Sequence, residues 1–392
     1  MDSKTEAVLS WLHDRGRLIT DRSTFVEQLA EQLTAAGLPI ARITTAVPTL
    51  HPQVDTSSVI WNAGEAAAER LWKMLPENYR MRTNSPLHLA YFEGLPSRCR
   101  IGPVAEEGEF GVIPDLRQEG FTDYLCLPAP FTDGSIKAMT FATKAEQGFN
   151  DGHLALLEAI MPTLAMILEN QSLRRTARTL LHTYLGATSG QRVLDGSVRR
   201  GDGEIIPSVI WFCDLRGSTT LADTLELDEF LGLLNQYFEC MAGAVLDHGG
   251  EVLRFIGDAV LAIFPISSAA QRPEVCTTAV TAASDAIARL DALNEERREK
   301  GGAAIEFGVG LHLGDVMYGN IGTPDRLEFT VTGAAANEAA RVESLCKTLG
   351  HRFLLSEAVV AYLAGDWLSL GRHSLRGVGA EVEIFALPGD GG

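Results

Sequence analysis

Long uninterrupted apolar runs are missing from this 392-residue chain. The best candidate, Leu154–Leu168, is broken by Glu158 and Pro162, short of the about 18 apolar residues that mark a membrane-spanning helix. Basic residues are also in deficit, 33 Lys and Arg against 51 Asp and Glu, for a formal charge of -18. That balance excludes a broad phosphate-neutralising surface for DNA or RNA, and it disfavours attraction to an anionic membrane. It leaves room for a nucleotide held by divalent metal ions and a few local arginines. Cys99, Cys126, Cys213, Cys240, Cys276 and Cys346 are scattered with no CxxC spacing, so structural zinc and a disulfide framework are poor readings. The first residues, MDSKTEAVLSWLHDRGRL, lack an apolar signal core, so export is not expected. These absences together predict a cytoplasmic protein with no nucleic-acid or membrane partner and with reduced thiols.

What is present is globular composition, 46% hydrophobic and 21% charged, over a length that can bury two cores. Residues 1–150 mix helical and extended patterns and read as a regulatory α+β domain. Phe25, Leu29 and Leu33 suggest a helix over 23–36 stopped by Gly37, and apolar runs at 123–128 and 136–141 flank a hairpin turn at 131–135. Residues 151–205 read as a long signalling helix and a linker. Leu157, Ile160, Leu164 and Ile167 recur at steps of three and four, a register that continues through Gln171, Arg174, Arg178 and Leu181. Such a seam suits a parallel dimer helix, or equally a terminal helix packed on its own domain. Residues 186–205 are rich in Gly and charge and read as the linker. From 206 to 392 a second domain begins, with strands and helices in the order β-α-β-β-α-β, the ferredoxin-like arrangement.

Two aspartates in that second domain stand out. Asp214 closes the first strand, and Asp258 follows Gly257 at a hairpin tip. The order of strands lets them converge. Close carboxylates repel, and a divalent ion relieves the repulsion; Mg²⁺ takes one or two carboxylates plus phosphate oxygens. Gly217, Ser218 and Thr219 lead into a helix start, where free N–H groups favour phosphate. Taken alone, the pair reads equally well as a helix cap and a turn residue.

The surrounding segments add a resemblance. WFCDLRGST (211–219), GGEVLRFIGDAVLAIF (249–264), GVGLHLGDVMYGNIG (308–322) and EFTVTGAAANEAARVESL (328–345) resemble the class III adenylate and guanylate cyclase catalytic domain across 206–387. That resemblance implies two divalent metal ions, Mg²⁺ or Mn²⁺, on Asp214 and Asp258. It implies Asn337 orienting the ribose and Arg341 stabilising phosphate charge. Thr330 stands where the base is read, and a Thr there is similar to the class IIIb subgroup. Arg254 replaces the family's usual Lys, which puts base selectivity in doubt because a forked guanidinium and a point ammonium are not interchangeable. Arg326 and Arg376 stand near places where the family contacts phosphate. The family's sites are shared across a homodimer, so ATP as substrate and a second copy as partner are implied. A degenerate nucleotide-binding module and a guanylate cyclase are the alternatives; a diguanylate cyclase relative is disfavoured because the hairpin reads FIGDA rather than GGDEF.

The stretch 123–170 resembles the closing segment of GAF-type sensor domains. It implies a GAF-like α+β domain joined by the long helix to the cyclase domain, with an unidentified small-molecule or protein input. His51, His88, Cys99 and Cys126 read as structural residues rather than as haem ligands or redox sensors.

Overall fold

The computed structural model describes residues 2–48, 54–73, 84–375 and 379–387. It divides into two compact units, Met1–Leu180 and Leu181–Gly392.

In the N-terminal unit, helices α1 (Ser3–Asp14) and α2 (Arg22–Ala35) precede strands β1 (Arg42–Pro48), β2 (Val54–Asn62), β3 (Ala68–Lys73) and β4 (Ser97–Arg100). A short helix α3 (Ile113–Gln118), β5 (Asp123–Pro130), β6 (Ile136–Thr143) and the long helix α4 (Asp151–Leu185) follow. The sheet order is β3-β2-β1-β6-β5-β4. Gly37 takes φ +91° after α2, the left-handed turn that glycine adopts without strain. At the β5–β6 hairpin Gly134 is left-handed and Asp133 accepts from the Ser135 N–H at 2.8 Å. Side chains alternate across a strand, so Leu125, Leu127, Met139 and Phe141 face α1, α2 and the first turns of α4. Tyr124, Cys126, Ala138 and Ala142 face the other way, onto Ile113, Leu116 and Phe121.

The seam on α4 therefore has a covering within its own unit. Leu157, Ile160 and Leu164 are fully buried and Ile167 nearly so, and the Gln171 amide donates to the Ile19 carbonyl at 2.9 Å. This corrects the dimer-seam reading of those four positions. The exposed apolar residues of α4 are instead Met166, Leu173 and Leu180, seven apart, followed by Tyr184. By length and composition α4 also passes as a candidate membrane span, contrary to expectation, although half of its most apolar window is buried inside the protein.

The C-terminal unit opens with α5 (Ala187–Leu194), within the stretch expected to be linker. The main sheet follows: β7 (Gly203–Leu215), α6 (Ser218–Thr224), α7 (Leu227–Asp247), β8 (Glu251–Ile256), β9 (Ala259–Pro265) and α8 (Arg272–Glu299). After these come β10 (Phe307–Thr323), β11 (Arg326–Thr332), α9 (Ala334–Leu349), β12 (Phe353–Ser356), β13 (Leu368–Ser374) and β14 (Glu381–Ala386). The order is β13-β14-β12-β10-β7-β9-β8, with β11 paired to β10. The chain leaves the helix at Leu225, which is extended, and re-enters it as α7. Central strands buried on both faces read as near-continuous apolar runs. Val209, Trp211, Cys213 and Leu215 of β7 pack under α7 and α8, while Ile210 meets Ala335 and Ala339 of α9 on the opposite face.

Asp123 anchors one end of the N-terminal sheet. It is fully buried and accepts from Arg98 at 2.7 Å and from the Phe149 N–H at 2.9 Å, with Arg100 at 3.4 Å. Removing the carboxylate leaves the buried Phe149 N–H without its acceptor, at about 1–3 kcal/mol, while Arg98 and Arg100 keep access to solvent. Asp123→Ala is expected to destabilise the N-terminal unit by about that amount in urea titration; a midpoint unchanged from wild type would refute this account.

Candidate functional site

β7 and the β8–β9 hairpin bring Asp214 and Asp258 together. Asp214 lies opposite Gly308 on β10. Asp258 follows Gly257, whose φ of +65° makes the tight turn between β8 and β9. Burial first, and then the Asp258 carboxylate with its hydrogen bond, push the Asp214 carboxyl up to about 6. Glu343, on the inner face of α9, is pushed up to about 7 by burial and next by Asp214. Arg216 offsets part of this charge; it stands 3.9 Å from Glu343 and donates through Nε to the Phe307 carbonyl at 3.0 Å. Neither Glu343 nor Arg216 stood out in the sequence.

The glycines of β10 make this proximity possible. A Cβ at Gly308 would strike Arg216 Nη2 at 2.6 Å, and one at Gly310 would sit 2.8 Å from the Ala339 carbonyl oxygen. The helix thus lies against the strand at backbone distance. Asn337 and Arg341 are exposed one turn apart on its outer face.

A second group forms between β8 and β11. Arg254 is held by Glu328 at 3.0 Å. Thr330, two residues along β11 and so on the same face as Glu328, is 4% exposed. Its Oγ1 is buried without a hydrogen-bond partner. An orphaned buried hydroxyl is costly to desolvate unless something supplies its bond. Gly217 is left-handed, and no side chain caps the helix start at Ser218 and Thr219. Arg326 lies exposed at the β10–β11 hairpin tip, its N–H on Thr323, and is not gathered with the carboxylates. Arg376 and His51 lie outside the described residues. The His88 ring lies tilted against Phe92, with centroids 4.7 Å apart. Burial pushes the Cys126 thiol up to about 12 and raises Cys99 as well, which disfavours the reactive thiolate.

Residues 206–388 match the family described as adenylate and guanylate cyclase catalytic domain. The C-terminal half of this chain is such a domain. Over 159 residues it is 36% identical to an adenylate cyclase of Anabaena cylindrica, covering 40% of this chain and 30% of that one. Over 182 residues it is 28% identical to adenylate cyclase 1 of Rhizobium meliloti (strain 1021), covering 45% and 27%. The crystal structure of the adenylyl cyclase CyaB from P. aeruginosa aligns at 25% identity and TM-score 0.44, over 49% of this chain and all of that one. The chain spans less than a third of the length of those two curated relatives.

The cyclase domain's carboxylate pair fits a hard divalent cation. No group of three or more His, Cys, Asp or Glu is arranged for a metal among the described residues, so a closed zinc-like site is not indicated. Two converging carboxylates, that of Asp214 with its proton affinity raised by burial and by Asp258, suit an ion that completes its shell with water and phosphate oxygens.

The sign of the pH effect follows from the raised carboxyl. The folded protein holds the Asp214 proton up to about pH 6, whereas the unfolded chain releases it near pH 4, so ionisation above that window destabilises the metal-free fold. Asp214→Asn is expected to raise the melting temperature of the metal-free C-terminal unit at pH 7. The gain should shrink toward pH 4, and stabilisation by Mn²⁺ should be lost. An equal Mn²⁺-induced shift in variant and wild type would remove Asp214 from the metal site.

Proposed function

We propose that the chain is a cytoplasmic nucleotide cyclase that converts ATP to 3′,5′-cyclic AMP and pyrophosphate as a homodimer. The observation that carries the reading is the convergence of Asp214 and Asp258 in a domain of cyclase sequence.

Asp214 and Asp258 would hold two Mg²⁺ or Mn²⁺ ions. Bound there, such ions would lower the pKa of a ribose hydroxyl and neutralise phosphate charge. Asn337 orients the ribose. The 3′-oxygen, giving its proton to solvent, bonds to the α-phosphorus as the bond to the pyrophosphate oxygen breaks. Arg341 supplies fixed positive charge where the phosphates gain it, commonly worth about 10²–10³-fold in rate per group. The backbone N–H groups of Gly217, Ser218 and Thr219 contact phosphate, with Arg326 and Arg376 as further basic contacts.

The unpartnered Thr330 hydroxyl supports a base-reading role, because it can accept from the adenine amino group. Arg254 reads the same base, and Glu328 holds its guanidinium at one angle. Exposed apolar side chains on α7 and β8, among them Leu227, Leu231, Phe255 and Ile256, support a second copy covering the site. In that dimer one copy contributes the aspartates and the other contributes Arg254, Thr330, Asn337 and Arg341. The heptad-spaced Met166, Leu173 and Leu180 support pairing along α4. The N-terminal unit, with one sheet face under helices and the other under a separate apolar cluster, acts as a GAF-like sensor for a small-molecule or protein signal.

Purified protein should form cyclic AMP from ATP with Mg²⁺ or Mn²⁺, and Asp258→Ala should abolish it. Cyclic GMP from GTP instead would transfer the reading to a guanylate cyclase. Nucleotide binding without product would make the domain a regulatory module. Asp214→Ala mixed with Arg341→Ala should regain activity through one intact shared site; a folded, dimeric mixture that stays inactive would defeat the shared-site arrangement.

A further inference from the structure

α9 carries Asn337 and Arg341 outward, so whatever fixes this helix on the sheet fixes both. Its inner face meets β10 along Gly308, Gly310 and Gly314. A Cβ at Gly314 would lie 2.5 Å from Ala335 Cβ, as tight as at the other two. Residues two apart on a strand share a face, so His312 is the one side chain this face presents between Gly308 and Gly314. It is 7% exposed. Nδ1 lies 2.9 Å from Ser356 Oγ at the end of β12, and Nε2 lies 3.1 Å from Glu338 Oε2. Glu338 follows Asn337 and precedes Arg341 by three residues.

The partners assign the ring's hydrogens. Glu338 offers an acceptor, so Nε2–H donates to it, and Nδ1 accepts from the Ser356 hydroxyl. Burial holds His312 below the usual imidazole range, with Glu338 opposing, in keeping with a neutral ring.

A track of glycines lets a helix approach closely but offers no side chain to stop it sliding or turning. Directional hydrogen bonds do. We infer that His312 is a positioning residue for the Asn337/Arg341 pair, bridging β12 to α9 and setting the slide and rotation of that helix without touching substrate. The consequence for turnover rests on the cyclase reading; the consequence for the helix does not. Misplacing a group by about 1 Å can lower a rate about 10²-fold.

The test uses the full chain with His312→Ala, His312→Gln, which keeps an N–H toward Glu338, and His312→Asn, which keeps a partner for Ser356. Val359→Ala, which trims the core on the opposite sheet face, controls for lost stability. Amide hydrogen exchange over 334–349 is expected to rise about tenfold or more in His312→Ala, to recover partly in His312→Gln, and to stay at the wild-type level in Val359→Ala. With ATP, kcat should fall about 10²-fold while KM moves less than about threefold, and the loss should shrink to within about threefold in an Arg341→Ala background. Unchanged exchange over α9 in His312→Ala, or a loss that multiplies fully with Arg341→Ala, would overturn the proposal. Wild-type protein that makes no cyclic nucleotide would defeat the activity reading alone, since exchange still decides the pin. Should His312→Ala fail to fold, the Gln and Asn variants carry both readouts.

Discussion

The backbone of α9 lies against the backbone of β10, and the geometry of the carboxylate site depends on that contact. A helix normally stands off a sheet on its side chains. Here Gly308, Gly310 and Gly314 remove them, and the helix comes down far enough for Glu343 to reach Arg216 and the neighbourhood of Asp214. The same descent fixes how far Asn337 and Arg341 project on the outer side. Any Cβ on the track would have to lift the helix or bend the strand, and a close-packed interior transmits such a displacement rather than absorbing it. One helix therefore has two faces of different character: its inner face presses acidic charge toward Asp214 and Asp258, and its outer face displays the Asn337 amide and the Arg341 guanidinium.

Much of the cyclase domain could be read in advance because its signals are local. The apolar run before Asp214 and the Gly257–Asp258 turn each lie within a few residues, and strand order followed from the alternation of periods. Glu343, Glu328 and His312 were opaque for the opposite reason. Acidic residues on a helix or an edge strand look solvated in sequence, and only tertiary register sets Glu343 beside Arg216 or Glu328 beside Arg254. The α4 seam shows a related limit. A 3.6-residue period reports that one face is buried but not against what; Leu157, Ile160 and Leu164 turned out to face the unit's own sheet. Arg376 was chosen by position alone and lies beyond what the structure describes.

The N-terminal unit spends polar groups differently. Arg22 is buried against β1 and β2, donating to Ser57 and Thr45, and burial lowers its pKa to about 10. Glu69 serves Arg22 and Arg175 together. With Asp123 and its two arginines, the unit carries two charged clusters that tie α2, α4 and the sheet to one another.

The connection between α5 and β8 has a practical bearing on where the catalytic unit can be cut. Glu251 is 6% exposed and accepts from the Ser189 N–H at 3.1 Å, from the Ser189 hydroxyl, and from the Tyr318 hydroxyl at 2.8 Å. Two of those donors belong to a segment upstream of residue 206, where sequence similarity to the cyclase family begins. A recombinant fragment that starts at that boundary strips the donors away and leaves a carboxylate half-satisfied at the foot of the very strand that leads to Asp258. A piece that keeps both Ser189 donors therefore begins ahead of that residue, well before the family boundary at 206.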